Sequence, residues 1–303
     1  MNEIKQNSPY AWFLAARPKT LTGAIIPVLL GSALAFSDGQ FKTAPALLCA
    51  LFACGMQIAA NFINDLFDFQ KGTDRREDRL GPQRACAEGW ITPAAMKTGI
   101  GIALTLSCLA GLAVLFTVWG QLPHGGWELA VLGVVCILFA FLYTTLLSYR
   151  GWGDVLVLVF FGFVPVCGTY YVQAYTLNMD VVVLSLVSGL AIDTLLMVNN
   201  YRDREQDAVS GKCTLVVRYG KKFGENMYLA LGIAAVLLCF WFVYTGKLTP
   251  LEFIWAPCVY LYMHALTWRK MIQIGSGKKL NSILGETSRN MLFLGLLLAV
   301  ALN

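Results

Sequence analysis

Histidine is almost missing from this chain, and paired cysteine is missing altogether. Two histidines, His124 and His264, are spread over 303 residues and lie far apart in the sequence. That argues against a histidine metal centre and against a histidine general base. The nine cysteines form no Cys-x-x-Cys pair. Cys49, Cys54, Cys108, Cys136, Cys167, Cys239 and Cys258 lie inside apolar runs, where a thiol acts as a small apolar filler. Charge is scarce too: 14% of residues are Asp, Glu, Lys or Arg, against about 25% in soluble domains. What remains is apolar, 57% of the chain. These proportions exclude an ordinary soluble domain and describe a polytopic membrane protein. Met1 to Pro18 is polar and then amphipathic, without the apolar core of a cleavable leader.

At about 20 apolar residues per crossing, the sequence predicts one all-α domain over residues 1–303. About nine transmembrane helices are expected, near 20–37, 43–67, 95–119, 127–146, 153–172, 180–200, 225–245, 250–268 and 285–302. The connections at 68–94 and 201–224 are long and charged, while those near 38–42, 120–126, 173–179 and 246–249 are short. Of the 23 Lys and Arg residues, only Lys42 and Lys247 fall on the side opposite the N-terminus. By the positive-inside rule the N-terminus and both charged connections are cytoplasmic.

Polar residues inside so apolar a chain are the ones to explain. Gln57, Asn61, Asn64 and Asp68 recur at i, i+4, i+7 and i+11 and so share one helix face. The run continues through Asp65, Lys71, Gly72 and Asp74 to Arg84. A second apolar span ends in the same way, in Asn199-Asn200-Tyr201-Arg202-Asp203 with Asp207, then Lys212 and Arg218. Polar side chains at membrane depth are costly and normally face a bundle interior or a wet cavity. Two such helix ends point to one site built from two sides. Carboxylates gathered there would repel by about 4 kcal/mol per pair at 4 Å, so they need cations. Oxygen ligands without His or Cys suit Mg²⁺ shared with waters and phosphates. Lys71, Arg75, Arg76, Arg79, Arg84, Arg150, Arg202, Lys212 and Arg218 stand nearby to neutralise phosphate oxygens. A Mg²⁺–diphosphate fits this mixture better than a solvated loop does.

The motifs match a family. Arg17-Pro18-Lys19-Thr20-Leu21 with Pro27 and Gly31 comes first, then Asn64-Asp65-x-x-Asp68 with Gly72 and Asp74. Arg79-Leu80-Gly81-Pro82-Gln83-Arg84, Tyr143-Thr144, Arg150-Gly151-x-Gly153, and Gly168-Thr169-Tyr170-Tyr171-Val172-Gln173 follow. Asn199-Asn200-x-Arg202-Asp203 and Gly211-Lys212-x-Thr214-Leu215 complete the order. Over nearly its whole length the chain resembles the UbiA superfamily of intramembrane aromatic prenyltransferases, in the branch whose acceptor is 1,4-dihydroxy-2-naphthoate. It departs from the pattern at Asp154, where Glu is expected, and at Asp193, where a small or apolar residue is expected.

The resemblance implies a Mg²⁺-dependent enzyme that moves a polyprenyl group from polyprenyl diphosphate to the naphthoate, with loss of CO₂ and diphosphate. It implies Asn64, Asp65, Asp68, Asp74, Asp203 and Asp207 as the metal set, with Asp68, Asp203, Asp207 and Lys212 catalytic. Asn61, Lys71, Arg84, Tyr143, Arg150, Asn200 and Arg202 would bind substrate. Tyr143, Tyr149, Phe160 and Phe161 are candidates for a dry chamber around an allylic cation. The expected partners are the two substrates and the lipid bilayer, with no nucleic acid. The same fold with 4-hydroxybenzoate or homogentisate as acceptor is the alternative. A transporter is disfavoured, because the polar residues crowd at helix ends rather than at broken mid-membrane helices. Asp193 lies about 10 Å deeper than Asn200 by helical rise. It reads either as a carboxyl hydrogen-bonded to a neighbouring helix or as a chamber residue.

Overall fold

The computed structural model describes residues 4–72 and 79–303. Among them every regular element is helical. A short helix, α1 (Pro9–Ala16), starts at Ser8, whose hydroxyl accepts from the Ala11 N–H at 3.3 Å. The chain then turns at Arg17, φ +52°, into α2 (Thr22–Ser37), and the two parts of this entry are bent by 49°. Next come α3 (Thr43–Gln70), α4 (Pro93–Val118), α5 (Trp127–Arg150), α6 (Gly153–Ala174) and α7 (Met179–Val209). The chain ends with α8 (Lys221–Tyr244), α9 (residues 250–274) and α10 (Leu280–Ala301).

These account for the nine segments expected from the sequence. Seven are long and apolar enough to cross a membrane, and an eighth qualifies if the bent α1–α2 pair is one span. The remaining segment, α9, is as long but carries Glu252, Pro257 and His264 among its apolar residues. This is a multi-pass membrane protein.

The helix α7 is the axis of the bundle. Within its most apolar window 72% of residues are buried, against 22% in α3, because α2, α6, α8 and α10 all pack on it. Leu184, Val187, Leu30, Leu34, Val166, Phe242, Leu294 and Leu298 form the core there. A second core, around Phe62, Ile63, Leu66, Met96 and Ile100, joins α1, α3 and α4. Exposed Leu51, Leu106, Phe116 and Val131 give α3, α4 and α5 an apolar outer wall. Both polar stretches are therefore helix C-terminal ends, and the second emerges from the middle of the bundle.

Three segments depart from α geometry into π turns: Tyr143–Leu147, Leu158–Phe163 and Ile254–Cys258. The first two flank the site. At the far end of the bundle, Lys247 pairs with Asp38 and lies 3.7 Å from Asp180, tying three loops together. Tyr170 donates to Asp38 at 2.6 Å and Trp241 to Asp180 at 2.7 Å. Burial raises the Asp38 carboxyl, but its bonds from Lys247 and Tyr170 prevail and hold it below the usual range.

Candidate active site

The end of α3, the end of α7 and the connection after each meet at one mouth. Asp68 pairs with Arg84 at 3.4 Å, and it is within electrostatic reach of Lys212, Arg79, Arg17 and Lys71. Lys212 also stands 3.6 Å from Asp207. One lysine thus serves an acid from each stretch, so the two polar helix ends meet. Helix C-termini carry partial negative charge, so Lys71 and Lys212 are favourably placed there. Lys71 donates to the Thr144 and Thr145 carbonyls at 3.4 and 3.1 Å and lies over the Tyr149 ring at 4.2 Å. Asn64 accepts a hydrogen bond from the Thr144 hydroxyl.

Lys212 is held by the backbone. The Cys213 N–H donates to the Tyr149 carbonyl at 2.9 Å, and Arg218 donates to the Arg150 carbonyl at 2.8 Å. Gly151 makes that crossing possible. Its φ is +81°, and a Cβ there would stand 2.6 Å from the Cys213 carbonyl. Tyr143, Ser148, Gly151, Asp154, Asn200, Lys212 and Thr214 then line a narrow pocket.

Other expected site residues sit elsewhere. The polar stripe of α3 is split between two neighbours. Asn61 turns to the α1–α2 bend, donating to the Ala16 carbonyl and the Thr20 hydroxyl, both at 2.9 Å, and accepting from Gln57 at 3.3 Å. Both its N–H donors are spent on packing contacts. Asp65, 1% exposed, accepts from the Ala85 and Cys86 N–H groups at 2.8 and 2.9 Å, with Arg17 3.7 Å away. Both its oxygens hold the folded-back loop rather than face the mouth. Arg202 forks onto Asp203 at 2.7 and 2.6 Å and donates to Asn281 at 2.9 Å, so its guanidinium braces Asp203. Arg150 is exposed, and its carbonyl makes the contact described above. Asp74, Arg75 and Arg76 lie outside the described residues.

One residue escaped the site reading, and one that it counted only among the nearby cations stands close to both acidic stretches. Asn281 links Arg202 to the Leu80 carbonyl at 2.8 Å, and nothing in its surroundings in the sequence marks it. Arg79 stands among Asp68, Asp203, Arg17 and Arg202; burial first, then the neighbouring arginines, push its guanidinium down to about 10. The Arg79-to-Arg84 motif was its signal.

The donor set is oxygen only. No three His, Cys, Asp or Glu side chains converge as a metal cage among the described residues. The buried Asp207 Oδ2 has no hydrogen-bond partner there. One or two carboxylates beside bases, with a lone pair to spare, is how a protein binds Mg²⁺ through a substrate's phosphates. The residues fit a cation shared with a diphosphate, not a preformed cage.

The UbiA prenyltransferase family matches residues 24–282. The chain belongs to that family. It is 38% identical over 242 residues to a 1,4-dihydroxy-2-naphthoate octaprenyltransferase of Escherichia coli K12, covering 79% of this chain and 78% of the relative. A Mycobacterium leprae protein of the same name is 34% identical over 301 residues, 96% of each chain. Among solved structures, a UbiA homologue from Archaeoglobus fulgidus bound to GPP and Mg²⁺ superposes with a TM-score of 0.64 at 13% identity, over 96% of this chain and 99% of that one. That likeness carries the fold of the UbiA family over the whole bundle.

Proposed function

We propose that this protein transfers a polyprenyl group from polyprenyl diphosphate to 1,4-dihydroxy-2-naphthoate, releasing diphosphate and CO₂, and so makes the quinol form of demethylmenaquinone. The observation that carries the reading is the full-length match, 96% of both chains, to a relative named for that acceptor. In this reading the diphosphate sits at the mouth, where Lys212, Lys71, Arg84 and Arg79 surround Asp68 and Asp207. Asp68, Asp207 and Asn64 are the residues that would hold Mg²⁺, with Asp203 braced by Arg202 as support. When bound, the cation would stabilise charge on the departing diphosphate.

This chain's residues do the rest. Lys212 and Arg84 bind the phosphate oxygens, and charge-assisted bonds to them strengthen as the C–O bond to the diphosphate breaks. Tyr143 at the pocket and the packed rings of Phe139 and Phe160, 5.2 Å apart, keep water from the allylic carbon. The ring carbon that bears the carboxylate forms the new C–C bond, and loss of CO₂ restores aromaticity. No protein base is required, which agrees with a site without histidine. The Lys and Arg distribution supports a cytoplasmic position for this mouth.

The test is mass spectrometry of membranes containing the protein, given the naphthoate, Mg²⁺ and prenyl diphosphates of several lengths. Prenylated product should appear with one CO₂ each and vanish with EDTA. A product retaining its carboxylate would mean hydroxybenzoate-type chemistry and a different acceptor.

A further inference from the structure

Two buried carboxyls at or behind the pocket wall are not used by the chemistry above. Asp154 lines the pocket together with Lys212 and is 7% exposed, and its Oδ1 has no hydrogen-bond partner among the described residues. Asp193, on the central helix one turn beneath the lining residue Leu196, is 1% exposed, and its Oδ1 is also without a partner. The charged group that acts on Asp193 is Asp154. Neither acid forms an ion pair with any described Lys or Arg. Buried polar atoms are nearly always satisfied, so two bare carboxyl oxygens, Asp154 on the pocket wall and Asp193 behind it, call for a hydrogen-bond donor.

Position decides which substrate brings it. Tyr143 is within electrostatic reach of Asp154 and Asp193 as well as of Asp68 and Asp207. The pocket it lines thus carries a cation at Lys212 and an acidic floor at Asp154. A diphosphate is repelled by the floor, and a prenyl chain has no group to donate. An aromatic acid carrying a hydroxyl remote from its carboxylate matches both ends at once. Its carboxylate lies toward Lys212, its hydroxyl toward Asp154.

We propose that Asp154, backed by Asp193, positions the acceptor by accepting a hydrogen bond from its ring hydroxyl farther from the carboxylate. This fixes which edge of the ring meets the donor, and it makes the pair a specificity determinant for dihydroxylated acceptors. It rests on the acceptor assigned in the previous section. It also gives a use to the two positions at which the chain departs from its family pattern, and it goes against reading Asp193 as a carboxyl bonded to a neighbouring helix.

The experiment compares 1,4-dihydroxy-2-naphthoate with 1-hydroxy-2-naphthoate, which lacks the remote hydroxyl, using full-length wild type, Asp154→Ala and Asp154→Asn. Wild type should favour the dihydroxy acceptor by at least about tenfold in kcat/KM. Asp154→Ala should bring the two acceptors within about threefold, through the acceptor KM, and leave the KM for prenyl diphosphate within about twofold. Asp154→Asn keeps one acceptor oxygen and should recover most of the preference. Wild-type turnover without preference overturns the proposal whatever the variants do. An Asp154→Ala enzyme that keeps wild-type preference, or loses ground only in donor KM, overturns it too. Failure of wild type to prenylate either naphthoate sinks the acceptor assignment instead, and this proposal with it.

Discussion

Asp65 offers the sharpest separation between what a sequence motif implies and what the folded chain does with it. In the Asn64-Asp65-x-x-Asp68 motif it reads as a metal ligand. In the structure its two oxygens take the Ala85 and Cys86 N–H groups at 2.8 and 2.9 Å, with Arg17 at 3.7 Å. Asp65→Asn keeps the shape but turns an amide NH₂ toward one of those donors. One charge-assisted bond goes, at about 1.5–3 kcal/mol, and one buried N–H is left unsatisfied, at about 1–3 kcal/mol more. Arg17 also loses its buried partner. Together these come to about 2.5–6 kcal/mol of stability, a large fraction of what a domain has. Thermal denaturation in detergent should therefore show a markedly lower melting temperature. The surviving fraction should need the same Mg²⁺ concentration for half-maximal turnover as wild type. If Asp65→Asn melts like wild type and instead needs several-fold more Mg²⁺, the loop-holding role is wrong and the motif reading stands.

Asn61→Ala should likewise cost about 1–3 kcal/mol through its two lost bonds to the α1–α2 bend, with the KM for prenyl diphosphate unmoved; a raised donor KM without loss of stability would put it back in the site. Gly151→Ala forces a β-carbon into the left-handed region, at about 1–2 kcal/mol, and against the Cys213 carbonyl. It should lower turnover by displacing Lys212, and wild-type turnover in that variant would refute the crossing. The Asp38 carboxyl is held below its usual range, so its pairing with Lys247 contributes stability above an unfolded pKa of about 4. That contribution is lost as pH falls through the lower folded value. Lys247→Met should melt earlier than wild type at neutral pH, and the difference should shrink on acidification; a difference independent of pH would refute it.

The membrane spans were legible because length and apolarity alone set them, and lipid leaves the backbone no alternative to the helix. The second polar stretch was legible for a related reason. Asn200, Asp203, Asp207 and Lys212 terminate the most buried helix, so their polarity had to be spent on a site. The first stretch was only half legible. Helical spacing puts Gln57, Asn61, Asn64 and Asp68 on one face, but it does not say what meets that face. The lower half meets the α1–α2 bend and the upper half meets α5. Asp65 was misassigned because its partners, twenty residues on, reach it through a loop whose path no periodicity encodes. Asn281 was missed because its importance comes from Arg202, 79 residues before it.

The π turn at Tyr143–Leu147 has a consequence for how this segment can vary. A π turn holds one residue more than an α turn, and each added residue rotates all that follows by about 100°. The helix α5 therefore has two phases. Before the turn, Val131, Val134 and Leu138 face outward; after it, Thr144 meets Asn64 and the freed carbonyls meet Lys71. Deleting Leu146 would relax the turn to α and swing Tyr149, Arg150 and the Gly151 crossing out of phase with Lys212. Lipid-facing positions here are free to change identity, but the number of residues between Phe139 and Gly151 is fixed as firmly as any side chain in the pocket.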